Sequence, residues 1–151
     1  MQGVLSALNQ GNIDIGVFPV VNNNSGLVKP AFAAMGQHSF VLIDEIALDI
    51  EQCLFAKDML NIKEIKYIYS YAPALAQCKN FVSQECSNAE LIDWGDMAKA
   101  ARDLSLGQLP GLSAVIGPKM AAEVYGLKIL ARNIQDVKPN VTMFAVVAYP
   151  K

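Results

Sequence analysis

The chain reads as an α/β protein, and three observations in the amino-acid sequence carry that reading. From Ile65 onward, short β-branched or aromatic runs alternate with helical patterns in the order strand, helix, strand, helix, strand, helix, strand. That order calls for an open, mostly parallel sheet covered by helices. The run Thr142 to Ala148, TMFAVVA, has the unbroken apolar character of a strand buried on both faces. Glycine or proline marks most junctions, at Gly11, Gly36, Pro73, Gly107, Pro118 and Gly126, as a chain of short elements requires.

Taken in order, Gln2 to Gln10 carries Val4, Leu5, Ala7 and Leu8 at helical spacing and stops at Gly11, a residue suited to the left-handed helix end. Ile13 to Val21 reads as a buried strand that runs into the loop Asn22 to Gly26. Leu27 to Met35 is the next helix. Phe40 to Phe55 starts as a strand, and its alternation of Ile46, Leu48 and Ile50 with acidic residues favours one long strand half-exposed at an edge. Ile65 to Tyr69 is another strand, and Pro73 then opens a helix with Leu75, Cys78, Phe81 and Val82 on one face. Ala89 to Trp94 precedes Asp96, which can cap a helix whose inner face is Met97, Ala100, Ala101 and Leu104. Ser113 to Ile116 leads into a helix opened by Pro118 and closed by Gly126. Lys128 to Leu130 and Thr142 to Ala148 flank a polar connector, Asn133 to Asn140.

Composition sets the outer limits. With 53% hydrophobic and 17% charged residues, 151 residues suffice for one sizeable core or two small lobes. A net charge of -2 with two arginines, Arg102 and Arg132, and no basic cluster argues against nucleic-acid binding. No apolar run reaches membrane-spanning length. Cys53, Cys78 and Cys86 are an odd number at no metal spacing, and Met1 to Asn12 lacks a secretory pattern, so a reduced, cytoplasmic protein is expected. The single histidine, His38, excludes multi-histidine metal sites, and neither metal nor cofactor is expected.

Ligands of open α/β sheets sit beyond the carboxyl ends of strands. That rule selects Asn22 to Gly26, Ser70 to Pro73, Trp94 to Met97 and Gly117 to Lys119, with the hydroxyl of Thr142 as a fifth place. Each of the four turns also has an ordinary reading as a connection that binds nothing.

Four segments carry a resemblance to a known family. Pro19-Val20-Val21-Asn22-Asn23-Asn24-Ser25-Gly26-Leu27-Val28 is similar to P-I-E-N-S-x-x-G-x-V. Ser70-Tyr71-Ala72-Pro73-Ala74-Leu75-Ala76-Gln77-Cys78 is similar to S-H-P-Q-A-L-x-Q-C, and Asp96 to Ala101 to S-T-A-x-A-A. Tyr125-Gly126-Leu127, Asn133-Ile134-Gln135-Asp136 and Asn140-Val141-Thr142-Met143-Phe144 resemble Y-G-L, N-I-x-D and N-x-T-R-F. These patterns, in this order, are those of the prephenate dehydratase catalytic domain. The resemblance implies a two-lobed, periplasmic-binding-protein-like α/β domain, with lobe 1 near 1–36 and 139–151, lobe 2 near 37–138, and a cleft between them. It also implies that the family's first strand, its G-P-x-G-T loop and the ACT domain that usually follows lie outside the chain.

By the same resemblance, Thr142 is the proton donor, and Asn22, Ser70, Tyr71, Gln77, Phe144 and Lys119 bind a small carboxylic acid substrate. Tyr71 would stand in for the family's histidine and Lys119 would supply positive charge; a packed turn aromatic and a solvated lysine are the respective alternatives. Cys78 is expected to be a buried, inert thiol and His38 a solvated side chain. The family's Glu, His, Ser-Thr pair and Arg are here Val21, Tyr71, Asp96-Met97 and Met143. Arginine to methionine removes a charged donor, so ordinary prephenate dehydration is expected to be crippled or redirected. The expectation is a diverged carbon–oxygen lyase acting on prephenate or a similar cyclic or aryl acid, of the kind recruited to natural-product pathways. A phenylalanine-biosynthetic dehydratase and a silent binding subunit are its alternatives. A homodimer sheltering an exposed sheet edge is expected as well.

Overall fold

A computed structural model describes residues 1–150 of the chain. In chain order the elements are α1 (Gln2–Asn9), β1 (Ile15–Asn22), β2 (Gly26–Leu27), α2 (Lys29–Met35), β3 (Val41–Asp49), β4 (Gln52–Ala56) and, after a single 3-10 turn at Ile62–Glu64, β5 (Tyr67–Ser70). There follow α3 (Ala72–Ala76), α4 (Lys79–Glu85), β6 (Glu90–Asp93), α5 (Met97–Ser105), β7 (Ser113–Pro118), α6 (Lys119–Val124), β8 (Lys128–Ala131) and β9 (Val141–Ala148). They form two compact units. One is Met1–Ile50 together with the C-terminal segment from Pro139; the other is Glu51–Lys138.

The first unit is a four-stranded sheet in the order β2-β1-β9-β3, antiparallel throughout. β9 lies between β1 and β3, with Asn22 opposite Thr142, Val21 opposite Met143 and Pro19 opposite Phe144. Helices α1 and α2 cover one face, where Leu5, Leu8, Phe18, Ala31, Ala34, Ala145 and Val147 make the core. Gly16 is required there, because a Cβ at that position would lie 2.6 Å from Val4 Cγ1. Alternation sends Ile15, Val17, Ile46 and Leu48 to the opposite face with Thr142, and these four apolar side chains are exposed.

The second unit is a five-stranded sheet in the order β6-β5-β7-β4-β8. β5 runs parallel to β6 and β7, whereas β4 is antiparallel to β7 and β8. Both faces are covered. One core gathers Leu54, Ile68, Leu75, Cys78 and Val82, the other Phe55, Tyr69, Ala100, Ala101 and Leu104. β4, packed on both sides, is buried along its whole length.

Three differences from the sequence reading have physical causes. The sheets are not mostly parallel, because β9 inserts antiparallel between β1 and β3; a two-residue period reports which face is buried and not the direction of the neighbour. Phe40 to Phe55 is not one strand. It breaks at Ile50–Glu51, β3 joins β9 and β4 joins β7, so the boundary expected after residue 36 falls after residue 50. The helix opened by Pro73 is likewise two helices. Gln77 C=O accepts from the Asp136 N–H at 2.7 Å, and the Asp136 carboxylate accepts from the Asn80 N–H at 3.0 Å, which fastens the connector into the break.

Candidate functional site

In the first unit the polar centre is a chain of amides that ends on Thr142. Asn22 closes β1, and its side chain is buried. Its Nδ2 donates to Asn140 Oδ1 at 2.9 Å and to Thr142 Oγ1 at 3.0 Å. Its Oδ1 accepts from the backbone N–H of Asn24 and Ser25 at 2.9 and 3.0 Å. Asn140 in turn donates Nδ2 to Ile50 C=O at 3.0 Å, and its backbone N–H is held by Asp49 Oδ1 at 2.9 Å.

The direction of every donor here follows from the backbone groups at the two ends. Ile50 C=O can only accept, and the N–H groups of Asn24 and Ser25 can only donate. Neither amide can therefore be turned round without setting donor against donor or acceptor against acceptor. Asn22 must present its NH2 to Thr142, so Oγ1 is the acceptor in that bond and the hydroxyl hydrogen points away from Asn22. Thr142 is partly exposed, and it is left as a donor toward whatever approaches. Phe144, two residues on, shares its face.

Met143 takes the other face. The register sets it directly opposite Val21 on β1 and Ala47 on β3. The two positions where the family pattern has glutamate and arginine are thus cross-strand neighbours, and here both are apolar.

The second unit carries a pocket of about 340 Å³ beyond the ends of β5, β6 and β7, lined by Tyr71, Met97, Pro118, Ala121 and the Gly95-Asp96 turn. Asp96 caps α5 as expected, with Oδ1 accepting from the N–H of Ala98 at 2.7 Å and of Lys99 at 3.1 Å. Asp93, which sequence reasoning passed over, does the same for its neighbours: Oδ1 accepts from the N–H of Ala72 at 3.2 Å and of Gly95 at 3.0 Å. Burial pushes the Tyr71 phenol above its ordinary value, so it remains a protonated donor at neutral pH.

The other expected site residues fall differently. Ser70 is fully buried and donates its hydroxyl to Ile116 C=O at 2.7 Å, which ties β5 to β7 and leaves the hydroxyl committed to the scaffold. Gln77 accepts from Gln52 Nε2 at 3.3 Å. Lys119 pairs with Glu123 at 2.9 Å, both side chains about half exposed, as a solvated surface pair does. Cys78 is buried, and desolvation pushes its thiol up to about 12, in keeping with an inert core residue. Asn140, read from the sequence only as part of the N-x-T-R-F resemblance, and Asp93 hold the polar groups beside the expected site residues in place. Each is an Asx residue at a strand boundary, which is the local signal for such caps. Among the described residues, no group of three or more His, Cys, Asp or Glu side chains is placed to hold a metal ion.

Comparison with known proteins agrees with this architecture. The family model described as prephenate dehydratase matches residues 1–151. Arogenate dehydratase/prephenate dehydratase 2, chloroplastic, from Arabidopsis thaliana is 32% identical over 142 residues, 94% of this chain and 36% of its own length. A prephenate dehydratase from Arthrobacter aurescens, solved in complex with L-Phe, matches with a TM-score of 0.89 and 27% identity over 100% of this chain and 50% of that one. In fold alone, the chain is similar to the probable amino-acid ABC transporter extracellular-binding protein ytmK of Bacillus subtilis, at a TM-score of 0.53 and 12% identity over 99% of this chain and 63% of that one. The fold is the two-lobed, periplasmic-binding-protein-like α/β fold. The chain spans about a third of the curated relative and half of the solved dehydratase.

Proposed function

The chain belongs to the prephenate dehydratase family, and on that premise we propose that it is a carbon–oxygen lyase for prephenate or for the amino-acid counterpart, arogenate, in the name of its plant relative. In this reaction the ring carboxylate leaves as carbon dioxide, and its bonding pair completes the aromatic ring. The C–O bond of the ring hydroxyl breaks, and the departing oxygen takes a proton to become water. Thr142 supplies that proton from Oγ1 and regains one from solvent. Aromatisation drives the step, so the protein has to orient the ring and protonate the leaving group.

The observation that carries this reading is the bond from Asn22 Nδ2 to Thr142 Oγ1. A hydroxyl that already accepts has its own proton to give. Met143 does not count against activity on this reading: it stands on the face of β9 away from Thr142 and is matched by an apolar Val21, as one paired replacement.

The test is turnover. Purified protein is incubated with each substrate, and phenylpyruvate absorbance or phenylalanine release is followed. Conversion lost about a hundredfold or more in Thr142→Ala and partly restored in Thr142→Ser supports the proposal. Binding by calorimetry without product identifies a silent binding subunit instead.

Two further parts of the proposal concern surroundings. A reducing, cytoplasm-like compartment fits three buried cysteines with no disulfide among them. We propose that a second copy of the chain pairs along the outer edge of β3; the support is that this strand is exposed over its whole length and offers unpaired backbone groups. Light scattering at micromolar concentration checks it: a dimer mass supports the placement and a monomer removes it.

A further inference from the structure

The open face of the first sheet is apolar where a solvated face would be polar. An antiparallel sheet with helices on one side alternates apolar inward and polar outward along its strands. Helices α1 and α2 cover one side here. The other side presents Ile15 and Val17 from β1 and Val41, Ile46 and Leu48 from β3, flanking Phe144 and Val146 of β9. The five outer side chains are 40 to 56% exposed. Together they leave roughly 400 Å² of apolar surface in water, within the size range of functional patches on monomers. One charge shares this side of the strands: Asp44, at the β3 margin, level with Val146 and Val17.

Area and charge select the occupant. A standard interface takes about 800 Å² from each partner, about 56 to 65% of it apolar, so the patch supplies most of the apolar share that one side of such a contact needs. An anionic partner is repelled by Asp44 and meets no cation, because no lysine or arginine stands on these strands. The patch is instead self-complementary, with apolar rows on both sides of its middle strand. A two-fold axis along β9 lays β3 of a second copy over β1 and carries the two Asp44 carboxylates to opposite margins, where both keep their water.

We infer that a second copy of the chain packs its open face on this one, as two aligned sheets about 10 Å apart. This contact is separate from pairing along the edge of β3, which lengthens the sheet and leaves the face bare. It is also independent of the reaction that the chain performs. Thr142 lies about 13 Å along β9 from Val146, at the rim of the contact.

The experiment measures the mass of the whole chain by light scattering at micromolar concentration, in the natural protein, in Val17→Asp and in Leu106→Asp. Val17→Asp sets a carboxylate level with the second copy's Asp44. Leu106 is an exposed apolar residue of the second unit and serves as the control. The natural protein is expected at an even multiple of 16.3 kDa, with the mass halved in Val17→Asp and unchanged in Leu106→Asp. A tetramer that falls to a dimer retains the edge pair; a dimer that falls to a monomer has the face contact alone. A natural monomer, a mass that Val17→Asp leaves unchanged, or a mass that Leu106→Asp also halves overturns the inference.

A second readout needs no variant. Hydroxyl-radical labelling of Ile15, Val17 and Ile46 is followed while the natural protein is diluted. Labelling that rises as the mass falls supports the inference, and labelling that is equally strong at every concentration overturns it.

Discussion

The apolar pair Val21–Met143 makes a quantitative prediction through a double-mutant cycle. The two residues face each other on antiparallel strands, where opposed Cβ atoms lie about 4.5 to 5.5 Å apart, and both are half-buried. Val21→Glu places a carboxylate between Met143 and Leu27, its neighbour on β2. Met143→Arg places a guanidinium between Val21 and Ala47. Neither charge has a partner, and each substitution should cost about 1 to 2 kcal/mol. For a chain of this size that is a loss of about 3 to 6 °C in Tm. With both changes present the charges meet across the ladder and recover about 1 kcal/mol. The double variant should therefore melt about 2 to 4 °C above the sum of the two losses, and the gain should shrink in salt.

Circular dichroism melts of the four proteins measure the coupling directly. Additivity within about 0.5 kcal/mol would mean that the two positions do not interact, and the idea of a paired replacement would be wrong. Turnover offers a second route to refutation. If Met143→Arg alone raised kcat a hundredfold, methionine at 143 would be a catalytic lesion, and its placement on the face away from Thr142 could not be right.

Other consequences can be checked separately. Asn140→Ala removes the acceptor for Asn22 and Asn24 and the donor to Ile50 C=O; leaving these groups unmatched should cost about 2 to 3 kcal/mol, seen as a Tm lower by about 5 to 10 °C. Asp103, held by Trp94 Nε1 at 3.0 Å and by Lys99 and Arg102, has its carboxyl below the ordinary value of 3.8, chiefly through the Trp94 hydrogen bond. Its folded value is depressed, so its contribution is complete above that ordinary value and disappears as the pH falls through the folded one. Acid titration of Trp94 fluorescence should show that loss below about pH 4 and should lose the component in Asp103→Asn. Burial pushes Cys78 to about 12 and Cys86 to about 11 and raises Cys53 as well. An aromatic disulfide reagent at pH 8 should label none of them in the native protein and all three after denaturation; rapid labelling before denaturation would show that the second unit's cores open.

What could be read from the sequence was what local chemistry decides. The helix stopped by Gly11, the cap by Asp96 and the strand of β9 each depend on residues within a turn or two of one another. What could not be read depends on partners distant in the chain. Ser70 looks like any loop hydroxyl until β7 brings Ile116 C=O to it. The break at Ile50 is invisible in a run of alternating apolar residues, because alternation is the same whichever sheet receives it. Val21 and Met143 look like two independent losses until the register makes them neighbours. That last point changes which departures bear on chemistry. The first unit keeps Thr142, Asn22 and Asn140 in one bonded chain and matches its altered pair internally, so the departure that adds a charge lies in the second unit. There Asp96 puts a carboxylate in the turn that the family pattern fills with hydroxyls, and its Oδ1 is spent on the N–H groups of Ala98 and Lys99; because asparagine caps a helix about as well, Asp96→Asn should leave the melting temperature within about 2 °C of the unsubstituted chain, and a larger loss would show that the charge itself holds the turn.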